Sequence, residues 1–423
     1  MRTFTVTIVM LTLLATLHAH LFVLNSESQT LSRLDIDDWS IDNAFATIGQ
    51  YPYAAPNRIA VHDETAWITV TYENSIQGIP LDDGGAGAVI YLEDSAAPYD
   101  IITHEGMAYV TGGTSNKVYR VDLDALAVTG SLDVGRSPQG MVVHDGLLYV
   151  CNTGFRLDTW TYDPGTVTVI EMDGFTAIDT LDCATNPQVA AVVGDELHVV
   201  CTGDYATEFG RIDIFGLTGH EFLESLDTGG SPGRVSVCGD SVFLGNVWPA
   251  GVFVYSASER ELIYTPDTSP YTGGTDVYAQ DGRLTVLDAG DFVQNSHVRV
   301  YSLADNSLLA DATAGVGAVD VKAWSAPVSV NDDTYTPGET LLQVWPNPVR
   351  ESCRIAFSPA SGSGAEAAVF NVRGQMVRQL QLDDGRGRWD GRDSLGRLCP
   401  SGVYLVRVKT GESSAAKRLT LLR

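Results

Sequence analysis

The sequence predicts an all-β protein, and three observations support this fold class. A unit containing four short β-rich runs recurs every 40 to 49 residues along most of the chain. Glycine makes up 42 of the 423 residues, which is typical of short strands joined by tight turns. Apolar residues make up 44% of the chain, an ordinary fraction for a globular protein, so a disordered or collagen-like chain is excluded.

The repeat is clearest in five copies of one pattern: a small or polar residue, a proline, an apolar strand, a turn and a second strand. These copies occupy residues 55–70, 97–112, 137–152, 186–201 and 231–246, and two weaker ones occupy residues 273–288 and 315–324. Further β-rich runs lie between the copies. Four strands in a repeat of this length are typical of a β-propeller blade, which buries its faces by stacking on neighbouring blades.

The number of blades follows from counting strands. Seven copies of the first strand are visible, but only six outer strand pairs lie between or after them. The missing pair is residues 31–48, which precede the first copy and resemble the later outer pairs. We therefore predict a closed β-propeller of seven four-stranded blades, in which N-terminal strands complete the last blade and leave no exposed sheet edge. Six or eight blades are the alternatives.

An uncharged apolar run at residues 6–17 follows a single basic residue, Arg2. This run is too short for a transmembrane helix but suits a secretory signal peptide, which we place at residues 1–19. A buried N-terminal helix is the alternative. No second long apolar run occurs, so we predict export without a transmembrane anchor. The six cysteines would then lie where disulfides can form; Cys353 with Cys399 is one candidate pair, and the sequence leaves the other pairings open.

Composition and charge divide the chain into two modules. Residues 327–341 are rich in Ser, Pro, Thr and Asp, as linkers are, so we place the propeller at 27–326 and a C-terminal domain at 342–423. The formal net charge is −27 overall, with −32 in residues 1–336 and +5 in residues 337–423. A strongly acidic main domain repels phosphate backbones, so we predict no nucleic-acid partner.

The repeats carry several features in addition to their period. Each strong copy starts at a proline, hairpins occur at Asp145-Gly146 and Asp281-Gly282, and second strands end in AYVTG (108–112) and LYVCN (148–152). In these features the chain resembles the YVTN (YncE-like) β-propellers, a family of secreted and surface bacterial proteins. The resemblance implies a propeller fold, and it implies much less about function.

The C-terminal segment carries a more specific set of motif residues. They are Trp345, Pro346, Asn347, Pro348, Gly374, Trp389, Gly391, Gly402 and Tyr404. With them, residues 342–423 resemble the type A sorting domains of the type IX secretion system, and also the immunoglobulin-like domain of flagellar hook-capping proteins. The resemblance implies a small Ig-like β-sandwich, handling by the type IX secretion machinery, and release from the cell or attachment to its surface. A passive immunoglobulin-like spacer is the alternative.

Candidate binding residues occur two positions after the start of each first strand, where the strand enters the central channel. Five of these positions are charged, namely Arg58, Asp100, Arg234, Asp276 and Asp320. We predict that they surround one channel mouth and bind a polar ligand or Ca²⁺, which prefers several oxygen ligands. Ion pairs that only compensate one another are the alternative. No other cofactor is predicted.

The loops after the second strands share the face of that mouth. They carry Tyr72, Asn152, Tyr205, Asn246 and Trp248, a combination of aromatic and amide side chains that suits a glycan or a peptide. An insertion at residues 156–164 adds two more aromatic residues to this rim.

Three histidines, His62, His104 and His144, occupy equivalent hairpins on the opposite face. The tips of these hairpins splay apart, whereas metal ligands must converge on one ion, so we predict no metal site there.

The sequence contains no Gly-x-Ser-x-Gly, His-Glu-x-x-His or phosphate-binding glycine motif. We therefore predict a secreted or cell-surface, non-catalytic β-propeller that binds a protein, glycan or surface component and is exported by its C-terminal domain. The alternative is a secreted propeller enzyme of the lactonase, lyase or quinoprotein type. Its active site would lie at the channel mouth, with acid–base residues from several blades.

Overall fold

A computed structural model describes residues 19–325, 341–345, 349, 352–358, 365–371, 376–382, 386–394, 396–409 and 414–421. The chain divides into two compact units, residues 1–328 and 329–423. Strands dominate both units, and a single 3-10 turn at Thr71–Glu73 is the only helical element in the described ranges. The prediction of an all-β fold is confirmed. Within those ranges, no helix has the length and apolar character needed to cross a membrane.

The described part of the first unit contains thirty strands. The first eleven, in chain order, are β1 (Ala19–Asn25), β2 (Thr30–Asp35), β3 (Ile41–Thr47), β4 (Pro56–His62), β5 (Thr65–Val70), β6 (Ser75–Pro80), β7 (Val89–Tyr91), β8 (Pro98–His104), β9 (Met107–Gly112), β10 (Lys117–Asp122) and β11 (Ala127–Asp133). The next ten are β12 (Pro138–His144), β13 (Leu147–Asn152), β14 (Phe155–Arg156), β15 (Thr161–Tyr162), β16 (Gly165–Glu171), β17 (Thr176–Cys183), β18 (Pro187–Val193), β19 (Glu196–Gly203), β20 (Phe209–Gly216) and β21 (Phe222–Asp227). The last nine are β22 (Pro232–Cys238), β23 (Ser241–Asn246), β24 (Gly251–Ser256), β25 (Glu261–Tyr264), β26 (Asp276–Gln280), β27 (Arg283–Asp288), β28 (Asn295–Ser302), β29 (Leu308–Val316) and β30 (Ala318–Ser325).

Among the described residues of this unit, these strands form seven four-stranded antiparallel sheets and one short hairpin, β14–β15. Six sheets are consecutive in sequence, with orders β4-β5-β6-β7, β8-β9-β10-β11, β12-β13-β16-β17, β18-β19-β20-β21, β22-β23-β24-β25 and β26-β27-β28-β29. The seventh has the order β3-β2-β1-β30, so it joins the beginning of the unit to its end. The innermost strands contact one another in chain order, and β30 in turn contacts β4.

The first and second strands of a sheet meet at a tight hairpin. Asp145 and Gly146 both adopt left-handed backbone angles, with φ of 44° and 76°, and Glu105 and Gly106 do the same with 49° and 79°. Two consecutive left-handed residues make the turn whose twist matches that of the flanking strands. The Asp145-Gly146 signal in the sequence therefore specifies where the third sheet folds back.

Apolar side chains pack between neighbouring sheets rather than in one central core. One cluster joins Trp67 and Ile76 of the β4–β7 sheet to Val110 and Tyr119 of the next sheet. Another joins β1 of the seventh sheet to β28 of the sixth, and a third joins β1 to β5 of the first. Each sheet is thus buried on both faces by its neighbours, as expected for stacked blades.

Strand β1 is a difference from the sequence prediction. We expected two N-terminal strands within residues 31–48 and placed the start of the domain at residue 27, but β1 already begins at Ala19. It pairs with β2 on one side and with β30 on the other. Because both faces of β1 are buried, its apolar residues do not alternate with polar ones, and the strand is hard to distinguish from the apolar run before it. The rest of the predicted signal peptide lies outside the described residues.

The residues that the structure describes in the second unit form two sheets. Its strands are β31 (Leu341–Trp345), β32 (Cys353–Ser358), β33 (Ala365–Asn371), β34 (Met376–Leu382), β35 (Arg386–Trp389), β36 (Gly402–Lys409) and β37 (Ser414–Leu421). They form a three-stranded sheet, β31-β32-β35, and a four-stranded sheet, β34-β33-β36-β37. Trp389 is fully buried in the shared core and lies 5.2 Å from the ring of Tyr404.

Cys151, Cys183, Cys201, Cys238 and Cys353 are free thiols in the structure. Cys353 and Cys399, the pair considered from the sequence, both lie in the core of the second unit. Burial raises the pKa of Cys353 to about 11, so its thiol stays protonated at neutral pH. Cys151, Cys183 and Cys201 lie together in the apolar cluster between the third and fourth sheets.

Candidate functional site

The five charged positions predicted from the repeat lie on innermost strands: Arg58 on β4, Asp100 on β8, Arg234 on β22, Asp276 on β26 and Asp320 on β30. Their charges influence one another. Arg58 lowers and Asp320 raises the pKa of Asp100, and burial raises it most, so the pKa of Asp100 lies above its ordinary value. We call these five residues, together with Tyr99 and Lys322, the inner cluster.

The three aspartates of the inner cluster share one structural role. Each accepts a hydrogen bond from a backbone amide of the next innermost strand, one position further along the repeat. The bonds are Met141 N to Asp100 Oδ2 (2.9 Å), Val321 N to Asp276 Oδ2 (3.1 Å) and Ile59 N to Asp320 Oδ2 (2.6 Å). These carboxylates therefore link neighbouring sheets, which the charge pattern alone did not indicate.

Asp320 is the most fully engaged of the three. Besides the bond from Ile59, its Oδ1 accepts hydrogen bonds from Lys322 Nζ (2.8 Å) and from Val321 N (3.0 Å). Burial disfavours its charged form, but the charges of Lys322 and Arg58 outweigh burial, so the pKa of Asp320 is lowered. Asp320 therefore stays ionised, and Lys322 neutralises it.

Asp276 has the opposite behaviour although it is equally buried. Burial and the negative charge of Asp320 raise the pKa of Asp276 to about 7, against the partial compensation of Lys322. Near neutral pH this carboxyl group is therefore protonated in about half of the molecules. The two neighbouring acids differ in protonation because only one of them has a direct ion-pair partner.

Arg58 is only 7% exposed, yet one of its nitrogen atoms has no partner. Its Nη1 donates to Asn57 O (2.6 Å) and to Val319 O (3.1 Å), and its guanidinium carbon lies 5.4 Å from the centre of the Tyr99 ring. No hydrogen-bond acceptor for Nη2 occurs among the residues that the structure describes. An unsatisfied, buried N–H of a charged group is costly, so this nitrogen is available to a ligand.

Arg234 repeats this situation on β22. Its Nη1 donates to Gly233 O (2.6 Å), while its Nε is buried and has no partner within the described ranges. Burial opposes ionisation of Tyr99, but the charges of Arg234 and Arg58 and a hydrogen bond with Arg234 outweigh it, so the pKa of Tyr99 is lowered. Both guanidinium groups thus act on one phenol.

The rim residues lie on the side of the sheets where the innermost strands begin, which we call the entry side. The pairing of Pro56 with Val70 and of Pro232 with Asn246 places the ends of the second strands there. Tyr72, Tyr205 and Trp248 follow such ends and are 74%, 60% and 69% exposed.

The two predicted rim asparagines differ from the expectation, because both are buried. Asn152 donates to the hydroxyl groups of Thr166 (3.1 Å) and Thr168 (2.9 Å). Asn246 accepts from Ser231 N (3.0 Å) and donates to Pro249 O (2.6 Å). Their NH2 groups bond polar atoms of their own sheets and loops and do not face solvent, while Asn152 Oδ1 is buried without a donor among the described residues.

The insertion in the third sheet forms the hairpin β14–β15 and carries an aromatic group. The ring of Phe155 lies 5.8 Å from that of Trp160 and 5.3 Å from that of Tyr162. Trp160 is exposed. The exposed ring of Trp160 offers an apolar surface with a polar edge, as in many recognition sites.

Several residues of this side were not singled out from the sequence. Tyr99, Gln139 and Gln188 occupy the position immediately after the repeat proline, and Lys322 lies two residues after Asp320. Gln188 Nε2 donates to Tyr205 Oη (2.9 Å), which joins the rim to the innermost strands. Gln139 Oε1 is buried without a donor among the described residues. Comparing the residues that directly follow the proline in each copy would have revealed Tyr99, Gln139 and Gln188.

The histidines of the hairpins lie beside their own acidic neighbours. His62 Nε2 is 3.6 Å from Asp63 Oδ2, and His144 Nε2 is 3.4 Å from Asp145 Oδ2. Within the described ranges, no group of three or more His, Cys, Asp or Glu residues has the geometry of a metal site.

Some of the C-terminal motif residues have clear structural roles. Trp389 Nε1 donates to Arg392 O (2.9 Å), Tyr404 Oη donates to Pro400 O (2.9 Å), and Gly391 has a left-handed φ of 67°. Gly402 has a φ of 153°, which an L side chain rarely adopts. Trp345 is the last residue of β31, whereas Pro346, Asn347, Pro348 and Gly374 lie outside the described residues.

Comparison with known proteins gives a specific match for the second unit. Residues 343–421 match the family described as the secretion system C-terminal sorting domain. The expected sorting domain is therefore confirmed, and it indicates secretion or export to the cell surface. A comparison with curated protein sequences yields no match.

Comparison with solved structures gives three examples of low similarity. Apo AztD from Citrobacter koseri is 13% identical, with a TM-score of 0.48, 73% of this chain covered and 98% of that one. A hydrazine synthase of Kuenenia stuttgartiensis is 11% identical, with a TM-score of 0.46 and coverage of 63% and 89%. A chain of a nidogen/laminin complex is 18% identical, with a TM-score of 0.43 and coverage of 59% and 94%. The conclusion about export depends on the C-terminal match alone.

Proposed function

We propose that this chain is an exported, non-catalytic β-propeller that binds an extracellular glycan on its entry side. The observation that carries the proposal is the group of exposed aromatic side chains on that side, including Tyr72, Tyr205 and Trp248. Aromatic rings with neighbouring hydrogen-bonding groups can stack on sugar rings and bind their hydroxyl groups. The C-terminal sorting domain supports a location where such glycans occur.

We propose further that the seven sheets are the blades of a closed ring around a channel, as in the YVTN (YncE-like) proteins. The pairing of β1 with β30 and the hydrogen bond from Ile59 N to Asp320 Oδ2 support closure, because both join the two ends of the unit. A cleaved signal peptide at the N-terminus and an immunoglobulin-like fold of the C-terminal unit belong to the same proposal.

The glycan proposal can be tested by binding the full secreted chain to a glycan array and to insoluble polysaccharides. Tyr72→Ala, Tyr205→Ala and Trp248→Ala should each weaken the selected interaction about tenfold, since a stacking residue contributes on the order of 1–3 kcal/mol. Phe222→Ala is the matched control, because Phe222 is also an exposed aromatic residue but lies on the outermost strand β21.

Equal binding by the three rim variants and the wild type would contradict the proposed surface. If no glycan binds while a protein partner does, the surface has a different ligand and the glycan proposal is wrong.

A second candidate function is hydrolysis or elimination at the inner cluster, in a lactonase- or lyase-type enzyme. One observation favours it: Asp276 and Asp320 are neighbouring acids whose pKa values are displaced in opposite directions. Such a pair can divide the roles of acid and base. The test is turnover of lactones and uronate polymers, in which Asp276→Asn should remove an apparent pKa near 7 from the rate profile. Absence of turnover at every pH excludes this candidate for those substrates.

A further inference from the structure

We propose that the inner cluster binds the carboxylate of a single acidic sugar at the end of an otherwise neutral glycan, through Arg58, Arg234 and Tyr99. This inference rests on the proposed glycan-binding function and specifies its ligand.

Each of the two guanidinium groups keeps an unpaired hydrogen-bond donor. Arg58 Nη2 and Arg234 Nε are buried N–H donors without acceptors among the described residues, and neither arginine forms an ion pair there. The nitrogens that are satisfied donate to backbone carbonyl groups, which carry no net charge. A guanidinium group that has a buried, unpaired N–H and no direct ion-pair partner is unfavourable, so an anionic ligand would stabilise this arrangement.

The nearby aspartates already have partners within the protein. Asp320 is neutralised by Lys322, and Asp100 and Asp276 each accept a backbone amide of the neighbouring strand. Burial raises the pKa of Asp276 to about 7, so this residue carries a full negative charge in only part of the molecules. The three aspartates thus bond groups of the protein itself, and the unpaired N–H groups of the two arginines can bind a ligand.

The hydrogen-bond donors of the inner cluster suit a carboxylate. A guanidinium group binds a carboxylate through two parallel N–H bonds, and such charge-assisted bonds are among the strongest in proteins. The phenol of Tyr99 interacts with the charges of both arginines, and its hydroxyl group can bind a sugar hydroxyl. Gln139 Oε1, a buried acceptor without a donor among the described residues, can accept from another.

The net negative charge of residues 1–336 limits the number of negative charges that the ligand can carry. Residues 1–336 carry 45 acidic and 13 basic side chains, a net charge of −32. An extended polyanion lying across this surface would be repelled over about 8–10 Å at physiological salt. One carboxylate placed against two guanidinium groups avoids this repulsion.

The neutral remainder of the glycan has an adjacent surface. Tyr205 is held by the hydrogen bond from Gln188, whose position directly follows the repeat proline of β18. Its exposed ring therefore lies next to the innermost strands, where it can stack on the second sugar. The inner cluster would select the acidic end, and the rim would bind the sugars that follow.

The experiment measures affinities of the full chain by titration calorimetry for D-glucuronic acid, its methyl ester, D-glucose and a glucose oligomer ending in glucuronate. We expect glucuronate to bind at least about tenfold more tightly than glucose and the methyl ester, because only its ionised carboxylate can form charge-assisted hydrogen bonds with the guanidinium groups. The oligomer should bind more tightly than the monosaccharide.

Arg58→Gln and Arg234→Gln should each lower the affinity for glucuronate about tenfold or more and leave the affinity for glucose unchanged. Arg136→Gln is the charge-matched control, because Arg136 is a partly exposed residue just before Pro138 whose Nε pairs with Asp163 at 2.8 Å. Circular dichroism and thermal unfolding identify a variant that fails to fold, and Tyr99→Phe then provides a milder test of the same site.

Several outcomes overturn the inference. Equal affinity for glucuronate and its ester, or an equal effect of the Arg136 and Arg234 variants, would show that the carboxylate does not bind these arginines. Tighter binding of polygalacturonate than of the singly charged oligomer would contradict the limit of one charge. Binding of neutral glycans alone refutes only this inference, whereas failure of every glycan refutes the proposed function as well.

Discussion

The aspartates of the inner cluster link neighbouring sheets, whereas the arginines at the same repeat position keep unpaired donors. The difference follows from the length of the side chain and from whether it accepts or donates hydrogen bonds. An aspartate is short and accepts, so it bonds the amide of the adjacent strand, as Asp320 does with Ile59 at 2.6 Å. An arginine only donates, so it bonds backbone carbonyl groups, as Arg58 Nη1 does with Asn57 O and Val319 O, and a backbone N–H cannot satisfy its other nitrogens.

Asp276 should make the stability of the protein depend on pH. Its pKa is raised from 3.8 to about 7 on folding, so between these values the folded chain holds a proton that the unfolded chain has released. The resulting stability is fully present below about pH 4 and is lost as the pH rises through 7. From about pH 5 to pH 8, the free energy of unfolding should fall by about 2 kcal/mol more in the wild type than in Asp276→Asn.

Urea unfolding at the two pH values measures this difference. Asp124→Asn is the control, because Asp124 is exposed and should leave the pH dependence of the wild type unchanged. The prediction is wrong if Asp276→Asn retains the same dependence as the wild type.

At the scale of elements, β1 is the strand on which the seventh sheet depends. Its residues alternate between two neighbours: Leu21 and Val23 pack with the sixth sheet, and Phe22 and Leu24 pack with the first. A middle strand that contributes to two apolar clusters cannot be removed without exposing both. The start of the described chain therefore contributes to stability as much as any internal strand.

Phe22→Ala tests this role. Phe22 is fully buried, and its ring lies 5.4 Å from that of Phe45 and 6.2 Å from that of Trp324. The truncation should lower the free energy of unfolding by about 3–5 kcal/mol, because it leaves a cavity between sheets. Phe209→Ala, at an exposed ring on β20, should cost less than about 1 kcal/mol in the same urea titration. Equal losses in the two variants would show that β1 is not a stabilising strand.

At the scale of the whole molecule, the two units differ in charge and in role. The acidic first unit carries the candidate binding surface, and the basic C-terminal unit carries the sorting domain at residues 343–421. Opposite surface charges on separate units are consistent with separate partners.

Deletion of residues 342–423 should abolish export, since the sorting domain is the address that the secretion machinery recognises. The truncated protein should remain folded in the cell envelope, and immunoblots of the envelope, surface and medium fractions would locate it. The full chain with Trp248→Ala is the control, because this change affects only the proposed binding surface. Undiminished appearance of the truncated protein outside the cell would refute the role of the tail.

The sequence by itself determined the all-β class, the repeat and the sorting domain. These features are readable because a strand, a left-handed hairpin such as Asp145-Gly146 and the buried Trp389 of the tail depend on residues close in sequence. The sequence also identified the inner charged positions, because the repeat brings equivalent residues into register.

Only the tertiary structure decided what those positions do. Whether an aspartate finds an amide, as Asp276 does at Val321, depends on a strand 45 residues away, and the partner of Asp320 is 261 residues away. Asn152 has an amide side chain of the kind that often binds ligands, but it is buried within its own sheet. Burial and pairing arise from the packing of distant strands, and they determine which polar groups are satisfied within the protein and which remain for a ligand.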